Sequence, residues 1–154
     1  MFPDRKSPPT RQRRLSESGY GVEESTVTSD RETSINDLRQ LVQDFVDERK
    51  WGKYHNAKDI AISIAIEAAE LLELFQWVRE KEIGSMLKDA ETSERLEEEL
   101  ADIMILCLNL ANVIGIDAAE AVVKKVEKNR VKYPVELVKG SYRKYTKLKD
   151  DKAG

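Results

Sequence analysis

Two long apolar stretches of this 154-residue chain are each interrupted by a pair of carboxylates. In the first stretch, Glu67 precedes Glu70 by three positions, and in the second, Glu99 stands in the same relation to Asp102. On an α-helix this spacing places both acids of a pair on one face, about 4.5 Å apart along the axis. An ionised carboxylate is costly to bury unless it has a counter-ion, a proton or a metal. The pairs therefore favour folds in which two helices bring such acids together.

Apolar side chains share a face with these carboxylates. At about 100° per residue, Leu71 and Leu74 fall close to Glu67 around the helix, and the second stretch repeats this arrangement around Glu99. If the two stripes face each other in an antiparallel pair, the four carboxylates converge on one spot. The alternative is an exposed acidic face. It suits the charge run that ends at Glu99, but it does not explain Asp102, which lies one turn inside an apolar segment.

The ligand type indicates which metal such a site would take. Carboxylates without His or Cys favour hard cations, so we expect Mg²⁺, with Mn²⁺ as a substitute. A di-iron site would need Glu-x-x-His pairs, and neither stretch contains a histidine. Hard divalent cations serve phosphate chemistry, which predicts an enzyme. The alternative from another class is a non-catalytic helical interaction module whose carboxylates form salt bridges with a partner.

Composition limits the class of protein. A net charge of −3 is too small to indicate a nucleic acid polymer as a partner, and no apolar run is long enough to predict a membrane span. No apolar segment follows the basic residues at the N-terminus, which argues against secretion. Cys107 is the only cysteine and lies in an apolar helical stretch, where we expect core packing in a reducing compartment. A cytoplasmic location is the simplest interpretation.

The chain divides into three parts by composition. Residues 1–33 hold three of the four prolines and almost no large apolar side chains, so we predict a disordered tail. Residues 34–135 have helical periodicity almost throughout, which predicts one all-α domain with a four-helix-bundle-type core. Residues 136–154 form a basic, Lys-rich C-terminal extension, which we expect to cover a surface or a neighbouring subunit.

Capping signals indicate where the helices begin. Ser34 with Asp37, and Asp117 with Glu120, have the spacing of helix N-termini. The predicted helices cover about 35–45, 59–80, 92–114 and 118–133, with loops over 51–56 and around Gly84. The second helix is apolar nearly all round, which in a water-soluble protein means burial on several sides. We therefore expect oligomerisation to complete the core.

Four segments in order carry a resemblance to a known family: RKWGKYH (Arg49–His55), IEAAELLELFQW (Ile66–Trp77), LEEELADIMI (Leu96–Ile105) and KVEKNRVKYP (Lys125–Pro134). With them the chain resembles the all-α nucleoside triphosphate pyrophosphohydrolases of the MazG-like superfamily, most closely the dCTP pyrophosphatase branch. The resemblance covers about residues 35–148. It implies hydrolysis of a (deoxy)nucleoside triphosphate between the α and β phosphates. It also implies a homotetramer built as a dimer of dimers, or a homodimer, with each site formed by two subunits.

The resemblance further implies roles for individual residues. The carboxylates match the family's Mg²⁺ ligands: Glu67, Glu70, Glu99 and Asp102. Of these, Glu67 and Glu70 are the candidates for accepting the proton of the attacking water. The positions that match nucleotide-binding residues are Trp51, His55, Trp77, Lys125, Asn129 and Tyr133. The two tryptophans would hold the base and sugar, the histidine would lie near the nucleotide, and the last three residues would lie near the triphosphate.

Several of these positions also have a purely structural interpretation. Trp77 could be a core aromatic at a helix end, and His55 could be a surface residue. Lys125 lies on a helix with other lysines, a pattern typical of a solvated face. Asn129 and Tyr133 could together cap a helix end.

One position leaves the substrate open. Relatives that prefer dCTP commonly carry a tyrosine four residues after the metal-binding aspartate, and this chain has Leu106 there. We expect dCTP or a modified dCTP as the favoured substrate. The alternatives with the same chemistry are dUTP and phosphoribosyl-ATP.

Overall fold

Helices make up all of the regular secondary structure in the computed structural model, which describes residues 29–140. The α-helices are α1 (Ile35–Glu48), α2 (Ala57–Glu73), α3 (Ile83–Met86), α4 (Ala90–Ile114), α5 (Ala118–Lys132) and α6 (Val135–Val138). Single 3₁₀ turns cover Trp51–Lys53 and Glu80–Glu82. No strand occurs in this range, and the predicted all-α class is confirmed.

Side-chain caps begin the first and fifth helices, as predicted. The Ser34 backbone N–H donates to Asp37 Oδ2 at 2.9 Å, and the Asp37 N–H donates back to Ser34 Oγ at 3.1 Å. This capping box satisfies two of the backbone donors that a helix start leaves without partners. At α5, the Glu120 N–H donates to Asp117 Oδ1 at 2.8 Å.

Other predicted helix boundaries are wrong. The second helix ends at Glu73 and not near residue 80, because the backbone changes to tighter turns: the Phe75 N–H donates to Leu72 O, and the Val78 N–H to Phe75 O, each at 3.0 Å. The third long helix begins before Thr92, since Asp89 Oδ2 accepts the Thr92 N–H at 2.9 Å. Gly84 lies inside α3 and not in a loop.

Antiparallel packing of α2 against α4 is the most extensive helix contact. His55, just before α2, lies next to Asn109 near the end of α4, while Glu67 in the second half of α2 lies close to Glu99 in the first half of α4. The expected antiparallel pairing of the two carboxylate stripes is therefore present. Helix α1 packs on the C-terminal half of α4, where Arg39 exchanges two hydrogen bonds with Asn112 at 2.8 and 3.0 Å.

Few side chains are buried in the described part of a single chain. The buried apolar residues there are Val42, Val46, Ile60 and Ala111. Helix α2 was expected to be covered on several sides, but it contacts only α4 extensively, and its Leu72 is 67% exposed. Large apolar side chains on α4 and α5 are exposed in the same way. The small core is explained if neighbouring chains cover these surfaces.

Cys107 is exposed on α4, so its predicted core position is wrong for the single chain. The reason is that its face of α4 borders an open apolar groove, shared with Ile35 of α1 and Val122 of α5, that no other described element fills. No single helix among residues 29–140 is long and apolar enough to cross a membrane. Helices α4 and α5 pass that test only as a pair bent by 103°.

The predicted domain limits stay predictions. Residues 1–28 of the tail and 141–154 of the extension lie outside the described residues. Of the extension, residues 136–138 belong to the short helix α6, which begins after Pro134.

Candidate metal and nucleotide site

Three carboxylates from α2 and α4 come together. Glu67, Glu70 and Glu99 each offer one oxygen atom, and these atoms all lie within 4.8 Å of one another. Asp102 does not join this group, although its charge acts on Glu67. The structure thus brings together three of the four predicted ligands, with the fourth close by on the next turn of α4. A cluster of oxygen donors of this kind fits a hard divalent cation.

The negative charges of this cluster repel one another. Partial burial raises the pKa of the Glu67 carboxyl, and the negative charges of Glu70, Asp102 and Glu99 raise it further. Within residues 29–140, none of the four acids forms an ion pair with a Lys or Arg side chain. The described chain therefore supplies no cation of its own to neutralise the cluster.

The acids are less buried than their apolar surroundings suggested. Glu67 and Glu99 are half-buried, whereas Glu70 and Asp102 are exposed. The reason is that α2 and α4 make only a two-helix layer here, and no third described helix packs extensively over the acids. The same openness gives a cation, its water ligands and a phosphate chain access to the carboxylates.

Trp51 lies in the turn between α1 and α2, where Phe45 of α1 and Arg49 at the C-cap of α1 lie next to its indole. The Phe45 ring meets it edge-on, with 5.7 Å between ring centroids. The Arg49 guanidinium lies 3.7 Å from the centroid of Phe45 and 6.0 Å from that of Trp51. Trp51 is still 42% exposed, so a nucleobase could stack on its ring.

His55 connects this turn to α4. Its ring centroid lies 6.0 Å from that of Trp51, and its Nδ1 lies 2.9 Å from Asn109 Nδ2. Sequence reasoning missed Arg49 and Asn109 as parts of this arrangement. The signal for Asn109 was its position, since it is one of three polar residues that interrupt the apolar run of α4 between Leu100 and Ile114.

Residues 62–148 match the sequence model of the MazG-like family. This chain belongs to the MazG-like family. The matched residues include all four acids and most of α2, together with α4 and α5, but neither α1 nor Trp51.

Curated MazG-like relatives include dCTP pyrophosphatase 1 of Mus musculus, which is 37% identical over 117 residues, or 76% of this chain and 69% of the mouse protein. The Homo sapiens protein of the same name is 36% identical over the same shares. A crystal structure of a pyrophosphatase from Archaeoglobus fulgidus DSM 4304 superimposes with a TM-score of 0.61 at 44% identity, covering 65% of this chain and 92% of that one. The predicted enzyme class, a nucleoside triphosphate pyrophosphohydrolase, is confirmed by these relatives.

Trp77 of this MazG-like chain lies in the turns that follow α2 and is 85% exposed. The alternative interpretation as a core aromatic is therefore wrong for the single chain. Among the described residues its ring makes no stacking contact with another aromatic ring.

The remaining three predicted substrate-binding residues lie on α5 and at its C-cap. Lys125 and Asn129 are on the helix, and the Tyr133 N–H donates to the Asn129 carbonyl oxygen at 2.8 Å. Helix α5 makes extensive contact with none of the other described helices. The MazG-like chain thus presents these residues on a separate helix and not in the layer that holds the acids.

Proposed function

We propose that this MazG-like enzyme hydrolyses (deoxy)nucleoside triphosphates to the monophosphate and pyrophosphate in a Mg²⁺-dependent reaction, and that it favours dCTP or a modified dCTP. The observation that carries the proposal is the carboxylate cluster of Glu67, Glu70 and Glu99, within 4.8 Å and without a cation from the described chain. The names of the mouse and human relatives support dCTP as the substrate. Cleansing of the cytoplasmic nucleotide pool would be its role.

The chemistry of the donor set fits a hard cation. Glu67, Glu70 and Glu99 would hold Mg²⁺, or Mn²⁺ in its place, and Asp102 would complete the set. When bound, the cation neutralises phosphate oxygens and lowers the pKa of a coordinated water. The carboxylate of Glu67 or Glu70 would accept the proton of the attacking water as the bond between the α and β phosphates breaks.

The nucleoside would be held by aromatic side chains. Trp51 and Trp77 both expose indole surface, and stacking on such surfaces tolerates different bases. Discrimination between bases therefore needs polar contacts, for which His55 is the candidate. Leu106 provides no hydroxyl at the position where dCTP-preferring relatives commonly have one, so dUTP and phosphoribosyl-ATP belong in the test.

A second chain would complete the site. Lys125 and Asn129 lie on α5, and Tyr133 lies at its C-cap. Helix α5 makes extensive contact with no other described helix, and these residues would contact the triphosphate when α5 reaches the acids of a neighbouring subunit. The exposed apolar surface supports this arrangement, since Val122 on the same helix is 63% exposed. We infer a homodimer or a dimer of dimers.

The deciding experiment measures pyrophosphate release from a panel of nucleotides with Mg²⁺, with Mn²⁺ and with chelator. The panel contains dCTP, a base-modified dCTP, dUTP, the other triphosphates and phosphoribosyl-ATP. We expect release with either metal, fastest from dCTP or its modified form, and none in chelator. Glu70→Gln should abolish it. If no nucleotide releases pyrophosphate and calorimetry detects no Mg²⁺ binding, the protein is a non-catalytic helical module instead.

A further inference from the structure

Asn109 is the one buried polar residue among residues 29–140, with 3% of its surface exposed. It lies seven positions after Asp102, which places it about two turns further along α4 and on nearly the same face. Burying an amide is costly unless the amide is hydrogen-bonded, so the Asn109 side chain needs a partner.

That partner is His55. Asn109 Nδ2 lies 2.9 Å from His55 Nδ1, and an amide nitrogen can only donate. Nδ1 therefore accepts, and the neutral imidazole carries its proton on Nε2. No other hydrogen bond to the His55 side chain is formed within the described residues, so the Nε2–H group is available to an acceptor on a ligand.

The same contact holds the turn that carries Trp51. The His55 backbone N–H donates to the Trp51 carbonyl oxygen at 3.2 Å, so the two residues belong to one hydrogen-bonded turn. The chain enters this turn through Lys50, whose φ of 54° is in the left-handed region that residues other than glycine seldom occupy. Such a conformation persists only where surrounding contacts support it. Phe45 of α1 and Arg49 at the C-cap of α1 support it from one side, and Asn109 supports it from α4.

We propose that Asn109 is a positioning residue for nucleotide binding. Its amide fixes the His55 ring with the proton on Nε2, and it holds the Trp51 turn in place relative to the helix that carries Glu99 and Asp102. His55 Nε2–H then donates to an acceptor atom of the nucleoside stacked on Trp51. This inference rests on the proposed function, because it assigns the polar contact that the stacking site lacks.

The wild-type protein alone tests the first step. His55 is the only histidine, so a long-range ¹H–¹⁵N spectrum contains one imidazole, and no substrate is required. We expect the neutral ring to show the Nε2–H tautomer. A ring that carries its proton on Nδ1 overturns the proposal.

Two substitutions test the second step. Asn109→Leu removes the hydrogen-bond donor and keeps a similar side-chain volume. We expect KM for the best nucleotide to rise about five- to tenfold, as for the loss of one oriented hydrogen bond. We expect kcat to change less than about twofold. Asn109→Asp replaces the donor by an acceptor and should move the His55 proton to Nδ1 with a similar rise in KM. The second variant keeps the test available if the first does not fold.

Asn112→Leu is the matched control. It lies three positions further along α4, and its amide bonds Arg39 and not His55. We expect it to lower Tm but to leave KM and the His55 tautomer unchanged. If the wild-type enzyme is active and both Asn109 variants have its KM, the role of Asn109 is overturned but the proposed function is not. An inactive wild-type protein that keeps the Nε2–H tautomer contradicts the proposed function instead.

Discussion

Without a bound metal, the residues of the acidic cluster lower the stability of the fold at neutral pH. Glu67 is half-buried among the charges of Glu70, Glu99 and Asp102, and burial together with these charges raises its pKa. A carboxyl whose pKa is higher in the folded than in the unfolded chain favours folding at low pH. That contribution is lost as pH rises through the folded pKa. In the absence of metal the cluster therefore destabilises the fold at neutral pH, and a bound cation would reverse the effect.

Glu67→Gln should stabilise the protein in chelator and remove its response to magnesium. Relief of the like-charge contact with Glu70 is worth about 0.5 kcal/mol, which corresponds to a few degrees in Tm. The measurement is thermal unfolding in chelator and in Mg²⁺. Glu73→Gln, at an exposed acid of the same helix outside the cluster, should keep the rise in Tm that Mg²⁺ produces in the wild type. A Glu67→Gln protein that melts below wild type in chelator would contradict this account of the cluster.

At the scale of helices, the start of a helix was predictable where a side chain accepts a hydrogen bond from a backbone N–H. Ser34 and Asp117 cap their helices as the spacing indicates. The end of α2 was not predictable, because the apolar pattern continues through Phe75 and Trp77 after the helical hydrogen bonds stop. The convergence of acids from α2 and α4 followed from their periodicity. The contact between His55 and Asn109 did not, because it joins residues 54 positions apart through tertiary packing.

The cap of α4 gives a test at this scale. Asp89 accepts hydrogen bonds from the Thr92 hydroxyl and N–H at 2.7 and 2.9 Å, and these bonds lower the pKa of its carboxyl. Asp89→Ala should therefore lower Tm by a few degrees at neutral pH. Since the carboxyl has the lower pKa in the folded chain, its contribution is lost as pH falls through that value, and the two melting curves should converge in acid. Glu91→Ala, in the first turn but not the cap, serves as control, and an equal loss there would argue against capping.

At the scale of the whole molecule, the single chain leaves its apolar surfaces uncovered. Large apolar side chains of α2 and α5 are exposed, as is the groove beside Cys107, and clustered exposed apolar side chains are typical of surfaces that bind another chain. The helical periodicity predicted that α2 is apolar on several sides and must be covered. It could not predict which surface covers α2, because the sequence pattern of one chain does not show how a second chain packs against it.

Val122→Asp should shift the protein to smaller species in sedimentation and abolish pyrophosphate release, because it introduces a charge on the exposed apolar face of α5. Lys128→Asp, at a position of the same helix that is already charged, should keep both the mass and the activity. A Val122→Asp protein of wild-type mass would show that α5 is not part of the interface. A monomeric protein that retains full activity would show that the site needs only one chain.

The four buried apolar side chains of the described chain have a thermodynamic consequence. If the chain associates as proposed, a chain that buries so little by itself would gain most of its folding free energy on association, and unfolding and dissociation would become one event governed by mass action. Dilution would then unfold the protein, and its cellular abundance would help to set the fraction that is folded. The amount of enzyme and its activity per molecule would rise and fall together.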